Sequence, residues 1–448
     1  MFKKILIANR GEIALRIIRA CKEMDIRTVA VFSEADRDSL PVQYADEAVH
    51  IGPPLARKSY LNIDNIIKTA KDAGADAIHP GYGFLAENDA FAGACDDNGL
   101  SFIGPSAECI ARAGNKSQAR KIVSDLGVPI IPGSDGNICS ADEACQIAEN
   151  MGYPVILKAS GGGGGRGMRI AGNRQELIEA FSIASGEARA GFGNPDLYLE
   201  KYIEEPRHIE VQLIGDNHNN YVYLYERECS IQKRYQKLIE EAPSPLVDEK
   251  LRKQLGNTAI LIARSIGYSN AGTIEFLIDG QKNYYFMEVN ARIQVEHPVT
   301  ELVTGIDLVQ QQIQIAAGHK LPFKQEDIPL NGWSIECRIN AADPDENFAP
   351  SPGTITDLIL PGGPGVRVDS HIFNNYEISP FYDSLIGKLI VWGCDRHMAV
   401  KRMRRALSEF QINGIKVTIP FYIKIFQNQD FIAGNIDTHF IERFLSKP

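Results

Sequence analysis

The stretch Y-P-V-I-L-K-A-S-G-G-G-G-G-R-G-M-R-I (153–170) places five consecutive glycines between two short apolar runs, which predict a strand on each side of the loop. Without Cβ atoms, the loop can turn its N–H groups inward and close on a phosphate, and Lys158 adds a positive charge beside it. A flexible surface hairpin without a ligand is the alternative. A plain flexible linker, however, would not be flanked by two strands and by Lys158 and Arg166. The glycines therefore predict a phosphate lid, although no G-K-[ST] ends the loop as in a Walker A motif.

A second pattern predicts an acidic β-hairpin. The run A-G-T-I-E-F-L-I (271–278) is followed by Asp279-Gly280, a turn signal, and by Y-Y-F-M-E-V-N-A-R (284–292). Alternation puts Glu288, Asn290 and Arg292 on one face, and Glu275 can share that face from the neighbouring strand. Glutamates inside apolar strands need a cation, and carboxylate and amide oxygens suit Mg²⁺ shared with nucleotide phosphates. An edge strand with a solvated polar face is the alternative.

The string R-I-Q-V-E-H-P (292–298) directly follows this hairpin and is a candidate reaction centre. Arg292 offers a planar fork for a small oxyanion, and Glu296, two residues after Gln294, could act as a general base. The string alone has little specificity, but its position next to the predicted metal strand favours a reaction centre. His208 and His297 can be core histidines, and neither spacing supports a histidine metal site.

A basic string, R-E-C-S-I-Q-K-R-Y-Q-K (227–237), lies next to a predicted strand. Such a run is usually a solvated face. In a protein of formal net charge −10, a local basic string can instead serve an anion site. Cys229 within it is interpreted as a packing residue.

The order of the apolar runs predicts an α/β fold. Near the N-terminus, strands are predicted at 4–8, 28–32, 48–51 and 77–78, with an amphipathic helix at 13–24. This alternation is typical of a parallel sheet covered by helices, and the single glycine after the first strand argues against a dinucleotide site. Further strands are predicted at 208–214, 221–227, 273–278 and 284–290, with a boundary near 130. The last quarter should mix strands and helices and end in a helix at 398–410.

Composition excludes several function classes. The 448 residues predict about three domains at roughly 150 residues each. The 57 acidic and 47 basic residues argue against a surface that coats nucleic acid. We expect no membrane span, because no run of about 18 apolar residues occurs, and no signal peptide at the N-terminus. The eight scattered cysteines, without a C-x-x-C pair, indicate a reducing, cytoplasmic compartment.

Taken together, these motifs resemble the ATP-grasp superfamily and, within it, the biotin carboxylase family. The resemblance covers the whole chain and rests on I-A-N-R-G-E-I-A (7–14), H-P-G-Y-G-F-L-A-E-N (79–88), the glycine loop, E-K-Y (200–202), E-E-A-P-S-P (240–245), E-V-N-A-R-I-Q-V-E-H-P-V-T-E (288–301), E-C-R-I-N-A (336–341), S-P-G (351–353) and Y-D-S-L-I-G-K (382–388). It implies a Rossmann-like N-terminal domain (1–114), an ATP-grasp part (115–204) with a mobile lid from about 130, a metal and bicarbonate part (205–330) and a mixed α/β C-terminal domain (331–448).

The resemblance also implies roles for individual residues. ATP would contact Lys116, Lys158, Gly163, Gly164, Gly165, Glu200, Lys201, Tyr202, Ile203, His208, Gln232, Tyr235, Glu275 and Glu288. One or two Mg²⁺ or Mn²⁺ ions would bind Glu275, Glu288 and Asn290. The bicarbonate pocket would contain Lys237, Arg292, Gln294 and Val295, Glu296 would be the base, and Arg338 would stabilise the biotin enolate.

One position departs from the family pattern. This chain has Tyr235 in K-R-Y-Q-K, where the family usually has histidine in R-R-H-Q-K. Tyrosine keeps a hydroxyl group but cannot become cationic. We therefore expect an altered affinity for ATP and an unchanged reaction.

The implied reaction converts bicarbonate and ATP to carboxyphosphate and ADP, and then transfers CO₂ to N1′ of biotin. With no biotin-accepting M-K-M and no carboxyltransferase region in the sequence, we expect a free-standing subunit. Its partners would be a biotin carboxyl carrier protein and carboxyltransferase subunits, and the family suggests a homodimer. Another ATP-grasp ligase that forms an acyl or carbamoyl phosphate, and a degenerate ATP-binding regulatory module, are the alternatives. The bicarbonate and biotin residues argue against the first, and the intact acidic set argues against the second.

Overall fold

The computed structural model describes residues 1–159, 168–192 and 196–446. Its N-terminal part is a parallel sheet, as predicted, and the strand order is β3-β2-β1-β4-β5. The strands are β1 (Lys4–Ile7), β2 (Arg27–Ser33), β3 (Glu47–Gly52), β4 (Ala77–His79) and β5 (Ser101–Phe102). The helices are α1 (Gly11–Glu23), α2 (Leu40–Tyr44), α3 (Ile63–Asp72), α4 (Asp89–Asp97), α5 (Ala107–Gly114) and α6 (Lys116–Asp125). The buried apolar runs of β1 and β2 make the centre of this sheet.

A small antiparallel sheet, ordered β7-β6-β8, flanks the glycine loop. It contains β6 (Val155–Ala159), β7 (Arg169–Ala171) and β8 (Leu197–Lys201), covered by α7 (Ala141–Met151) and α8 (Arg174–Phe192). The two strands predicted around the glycines are thus confirmed, and they pair with each other from Val155 and Ala171 to Leu157 and Arg169. The loop itself, 160–167, lies outside the described residues.

The largest sheet runs β13-β12-β9-β10-β11-β14-β21-β19 and continues from the acidic hairpin into the C-terminal part. Its central elements are β9 (Arg207–Gly215), β10 (Tyr221–Lys233), β11 (Gln236–Ala242), α9 (Glu249–Ser265), β12 (Asn270–Ile278), β13 (Tyr284–Asn290), α10 (His297–Thr304) and α11 (Leu308–Ala316). Alternation in β9 sends Ile209, Val211 and Leu213 into the same core as α9, and leaves His208 and Glu210 on the other face. That polar face carries the candidate site.

The C-terminal part completes the same sheet and adds short ribbons and helices. Its elements are β14 (Trp333–Asn340), β15 (Ala342–Asp343), β16 (Ala349–Pro350), β17 (Gly353–Thr354), β18 (Asp357–Ile359), β19 (Val366–Ser370), β20 (Glu377–Ile378), β21 (Leu385–Gly393), α12 (Arg396–Glu409), β22 (Gln411–Asn413), α13 (Ile419–Ile425), α14 (Gln429–Ala433) and α15 (Phe440–Ser446). Short 3₁₀ helices lie at Glu34–Asp36, Ala56–Lys58, Gln325–Asp327 and Pro344–Glu346.

Two sequence predictions were wrong in extent. The strand predicted at 221–227 continues to Lys233, so the basic string is the second half of β10 together with the turn into β11, rather than a segment beside a strand. The prediction that the chain ends in the helix at 398–410 missed α13, α14 and α15. These helices are short, and their apolar side chains, such as Phe431, pack into the C-terminal core. A helix of five to seven residues has too little periodicity to be recognised in a sequence.

In the described part of the chain, none of the helices has the length and apolar content to cross a bilayer. All eight cysteines are free thiols. Six of them, including Cys229, are buried. The interpretation of Cys229 as a packing residue therefore agrees with its position inside β10.

Candidate active site

A row of charged side chains crosses the large sheet at the acidic hairpin. In register, Glu288 of β13 lies opposite Glu275 of β12, Glu275 lies opposite Glu210 of β9, and Glu210 lies opposite Arg227 of β10. Glu275, Glu210 and Arg227 are almost completely buried. The predicted shared face of Glu275 and Glu288 is confirmed, and although β13 is an edge strand, its neighbour Glu275 is not solvated.

Arg227 is the buried cation that holds this row together. Its five N–H groups donate hydrogen bonds to the side chains of Glu210, Gln212, Thr273, Gln294 and Thr300. When every donor of a guanidinium group is satisfied, the hydrogen bonds offset the desolvation penalty of burying its charge. The arginine therefore fixes the side chain of Gln294, whose Nε2 donates to Oε1 of Glu275 at 2.8 Å.

Lys237 is the second cation, and it joins three carboxylates. Its Nζ donates to Glu210, to Oε1 of Glu275 at 3.0 Å and to Oε1 of Glu296 at 2.7 Å. A β-bulge makes this possible, because Gln232 pairs with Lys237 whereas Ile231 pairs with Ile239, so that Leu238 is an extra residue of β11. Burial disfavours the ammonium ion, but the three carboxylates raise the pKa of Lys237 well above its usual value.

Glu296 is a buried carboxylate held between two cations. Lys237 contacts its Oε1, and Nη2 of Arg338 donates to its Oε2 at 2.9 Å. Burial favours the protonated form, but Lys237, Arg338 and Arg227 hold the pKa of Glu296 well below its usual value. A carboxylate that stays ionised inside the protein can accept a proton from a small bound acid.

Arg292 lies at the edge of this cluster and is oriented by Glu87. Its Nε donates to Oε2 of Glu87 at 2.8 Å, and the backbone N–H of Ala291 donates to the other carboxylate oxygen. Its Nη2 donates to Oδ1 of Asn290 at 3.1 Å. Arg292 thus contacts Asn290, with which alternation groups it, and Glu87 is a partner from the N-terminal part.

Arg338 of β14 and Lys388 of β21 extend the charged face into the C-terminal part. They lie opposite each other in register. Nζ of the fully buried Lys388 donates to the backbone carbonyl of Val295 at 2.9 Å and pairs with Oε1 of Glu12 at 3.1 Å. The same carboxylate accepts a hydrogen bond from Tyr82. Val295 therefore contributes its backbone, and the N-terminal motif reaches the site through Glu12.

Several of the residues predicted to contact ATP lie in or next to the sheet that flanks the glycine loop. Glu200 is buried and bonded to both Lys158 and Arg120. Nζ of Lys201 donates to the backbone carbonyls of Gly152 and Tyr153, at 3.0 Å and 2.9 Å. Tyr202 and Ile203 follow directly and are partly exposed. Gly163, Gly164 and Gly165 lie outside the described residues, as does the side chain of Lys116 at the start of α6.

The segment at 129–130 pairs with the acidic hairpin, and Tyr198 of the flanking sheet lies near residues of both predicted halves of an ATP site. The backbone N–H of Phe286 in β13 donates to the carbonyl of Pro129 at 2.8 Å. Nζ of Lys158 lies 6.0 Å from the ring centroid of Tyr198, and Glu288 is close enough to Tyr198 to help raise the pKa of its phenol, which burial and Glu200 also raise. Lys158 and Glu288 therefore both lie near Tyr198.

His208, Gln232 and Tyr235 differ in their burial. His208 is buried, and its Nε2 lies 2.8 Å from Oε2 of Glu275. Although burial opposes a charged ring, Glu275 raises the pKa of His208 above its usual value. Gln232 is buried in β10, whereas Tyr235 is 55% exposed and adopts a left-handed conformation, with φ of +66°, in the turn between β10 and β11.

The donor set of the acidic hairpin fits a divalent cation. Glu275, Glu288 and Asn290 offer two carboxylates and an amide oxygen from adjacent positions of one hairpin, which suits a hard cation such as Mg²⁺. Ligand atoms of His208, Glu210 and Glu275 also lie within 4.8 Å of one another. Nε2 of His208 is already hydrogen-bonded to Oε2 of Glu275 at 2.8 Å, and this bond competes with metal ligation by that nitrogen.

Sequence reasoning missed Glu210, Arg227 as a buried residue, and Glu87. A signal existed for Glu210, because His208, Glu210 and Gln212 alternate with apolar residues in β9 and must share a face. Arg227 and Glu87 gave no comparable signal, since a charged residue in a sequence is ordinarily exposed.

The small sheet beside the glycine loop and the acidic antiparallel sheet are the two parts that the sequence motifs predicted for an ATP-grasp enzyme. Sequence models of three families match the chain: "Biotin carboxylase, N-terminal domain" at 1–110, "Carbamoyl-phosphate synthase L chain, ATP binding domain" at 115–324 and "Biotin carboxylase C-terminal domain" at 336–443. The chain belongs to the biotin carboxylase family of ATP-dependent carboxylases.

Individual relatives agree with this assignment over the full chain. "Biotin carboxylase 1" of Bacillus subtilis is 54% identical, with 99% of each chain covered. A pyruvate carboxylase subunit of Methanothermobacter thermautotrophicus is also 54% identical, covering 99% of this chain and 90% of the relative. The crystal structure of the biotin carboxylase domain dimer of 2-oxoglutarate carboxylase from Hydrogenobacter thermophilus, with MgADP, ADP and bicarbonate, is 51% identical. It covers 99% of this chain and 98% of that one, with a TM-score of 0.95.

Proposed function

We propose that this protein uses ATP and bicarbonate to carboxylate N1′ of a biotin group carried by a separate biotin carboxyl carrier protein. The observation that carries the proposal is the buried Glu296 carboxylate, held between Lys237 and Arg338 beside Gln294 and Arg292. A regulatory ATP-binding module would have no use for an ionised base among oxyanion donors. The relative of known structure that binds both MgADP and bicarbonate also supports it.

In the first step, Glu296 removes the proton of bicarbonate. Lys237, Arg292, Gln294 and the backbone of Val295 hold the anion, which attacks the γ-phosphorus of ATP and displaces ADP. The product is carboxyphosphate. The cations nearby stabilise negative charge that develops on the transferred phosphoryl group.

In the second step, carboxyphosphate breaks down to CO₂ and phosphate. The released phosphate takes the proton from N1′ of biotin, and the ureido oxygen becomes negative. Arg338 stabilises this enolate-like anion, which then attacks CO₂. Lys116, Lys158 and the loop with Gly163, Gly164 and Gly165 would bind the ATP phosphates, and the closed loop would keep water from the carboxyphosphate.

Glu275, Glu288 and Asn290 would hold one or two Mg²⁺ or Mn²⁺ ions. When bound, such ions neutralise charge on the ATP phosphates. The segment Glu200, Lys201, Tyr202 and Ile203, together with Gln232, His208 and Tyr235, would contact the rest of the nucleotide. Tyr235 is exposed on a hairpin turn, which agrees with a role in ATP affinity rather than in the reaction.

We further propose that the carboxylated carrier serves acetyl-CoA carboxylase and hence fatty acid synthesis. A pyruvate carboxylase or another acyl-CoA carboxylase is the alternative, supported by the pyruvate carboxylase relative of Methanothermobacter thermautotrophicus. The partners would be the carrier protein and carboxyltransferase subunits, and the relative that is a domain dimer supports a homodimer. The eight free thiols support a cytoplasmic location. We also propose the domain bounds 1–114, 115–204, 205–330 and 331–448.

The proposal is tested by measuring ADP release with ATP, Mg²⁺ and bicarbonate, with and without free biotin. We expect biotin to stimulate turnover and radiolabelled bicarbonate to appear in carboxybiotin. Bicarbonate-dependent ADP release without stimulation by biotin would instead support another ATP-grasp ligase. Binding of ATP without any turnover would support the regulatory module.

A further inference from the structure

Two buried glutamates lie directly behind Arg338. Glu240 of β11 and Glu336 of β14 are opposite each other in register, and both are completely buried. Nε of Arg338 donates to Oε1 of Glu240 at 2.6 Å. Oε2 of Glu240 and both carboxylate oxygens of Glu336 have no hydrogen-bond partner among the described residues. The pair therefore has two carboxyl groups but a single hydrogen-bonded cation.

A second ionised carboxylate here would be unfavourable. An ionised group without hydrogen bonds loses its hydration on burial, and it would repel the neighbouring carboxylate at about 5 Å between Cβ atoms. Burial raises the pKa of Glu240 to about 7 and the pKa of Glu336 well above its usual value, although Arg338 lowers the first and Lys388 lowers the second. One of the two carboxyl groups must therefore stay neutral near pH 7. Glu240 is the one that is more easily ionised, because it is hydrogen-bonded to Arg338.

The surroundings of the pair do not supply another partner for Glu336. The charged and titratable groups around the two glutamates are Arg338 and Cys337 of β14, Lys388 of β21, Lys237 of β11, Glu296, Tyr82, and Tyr422 of α13. Among the described residues, the cations that act on Glu336 are Lys388 and Arg338. The ammonium group of Lys388 is already bonded to Glu12 and to the carbonyl of Val295.

We propose that Glu240 positions Arg338 for the biotin enolate and that Glu336 is kept as a neutral carboxylic acid. The inference rests on the proposed function of Arg338. With Glu336 neutral, Arg338 has one carboxylate behind it, Glu240, and one beside it, Glu296. Without Glu240, the guanidinium would be bonded to Glu296 alone and would turn toward the base and away from the ureido oxygen.

The positioning role is tested with Glu240→Ala and Glu240→Gln. We expect Glu240→Ala to lower the kcat of biotin carboxylation on the order of 100-fold. A displacement of the Arg338 guanidinium by about 1 Å is enough for such a loss. ADP release without biotin should change less than about threefold. Glu240→Gln should restore most of the lost biotin-dependent rate, because an amide oxygen still accepts from Nε of Arg338.

Glu241→Ala is the matched control. Glu241 is the next residue of β11, is equally buried and is bonded to Arg396 and Trp333 on the other face of the sheet. Its loss should lower stability but leave the ratio of biotin-dependent to biotin-independent turnover unchanged. If Glu240→Ala also left this ratio unchanged, or if Glu240→Gln failed to restore it, the positioning role would be disproved.

The protonation of Glu336 is tested directly by infrared spectroscopy at pH 7. The spectrum of the wild type minus that of Glu336→Gln should contain the C=O band of a protonated carboxyl group, and Glu336→Gln should keep biotin-dependent turnover within about threefold. A difference spectrum with carboxylate bands alone would disprove the neutral state. If the wild type showed no stimulation by biotin, the proposed function would fail, whereas the infrared result would still decide the state of Glu336.

Discussion

Replacing Lys237 by methionine removes the cation that three buried carboxylates share. Its ammonium group contacts Glu210, Glu275 and Glu296, and the Lys237 side chain is 12% exposed. Methionine keeps most of the volume of the side chain but none of its charge. The substitution therefore tests the charge of the cluster rather than its packing.

The expected loss of stability is about 3 kcal/mol at pH 7. Removing one partner of a buried ion pair destabilises a protein by about 3–5 kcal/mol. The lower end applies because Arg227, His208 and Arg338 still contact the same carboxylates. We expect kcat for ADP release to fall as well, because Lys237 is proposed to hold bicarbonate.

The pH dependence has a definite sign. In the wild type, the folded-state pKa of Glu296 lies below its unfolded value, so its stabilisation is present above about pH 4.3 and is lost as the pH falls further. Without Lys237, burial moves this pKa upward, and the ionised carboxylate destabilises the folded protein at neutral pH. The difference in the free energy of unfolding between the wild type and the Lys237→Met variant should therefore be largest near pH 8 and smaller near pH 5.

Urea denaturation at pH 8, 7 and 5 measures this difference. Lys253→Met is the matched control, since Lys253 forms an exposed pair with Glu249 on α9 and should change stability by less than about 1 kcal/mol. A loss below about 1 kcal/mol for Lys237→Met at pH 7, or a loss that grows toward pH 5, would refute the assignment of Lys237 as the shared cation.

Four further changes test the proposed roles separately. Glu296→Ala should abolish carboxylation, measured as carboxybiotin, while ATP still binds in a calorimetric titration; normal turnover would remove the assigned base. Tyr235→His should leave kcat within about threefold and change mainly the KM for ATP, and a loss of turnover at unchanged KM would contradict this. Chelation by EDTA should stop ADP release and added Mg²⁺ should restore it. Glu288→Gln should raise the Mg²⁺ concentration needed for half-maximal ADP release. An unchanged Mg²⁺ requirement would exclude Glu288 as a metal ligand.

The sequence predicted those parts of the site that depend on local pattern. Alternation alone placed Glu288 and Asn290 on one face, and the pairing of Glu288 with Glu275 agrees with it. The strands on both sides of the glycine loop also followed from their apolar runs. These features depend on a few neighbouring residues, so a single sequence contains enough information to predict them.

Other parts depended on contacts that no local pattern encodes. Strict alternation would put Lys237 and Glu240, three residues apart, on opposite faces of β11. The extra residue Leu238 allows both side chains to reach the charged face, and the basic string gave no indication of a bulge there. Glu87 reaches Arg292 from more than two hundred residues away in the chain. Such a pair is decided by tertiary packing, which a single sequence does not reveal.

The position of β11 gives a physical reason for coupling between the two proposed steps. At its start, Lys237 contacts Glu296 and Glu275 on the bicarbonate and metal side. Three residues later, Glu240 holds Arg338 on the biotin side. Glu296 closes the connection, because it is bonded to both Lys237 and Arg338. In the proposed reaction, the proton that Glu296 gains from bicarbonate would remove a negative charge beside Arg338. The guanidinium would then be a stronger partner for the anion that forms on biotin in the next step.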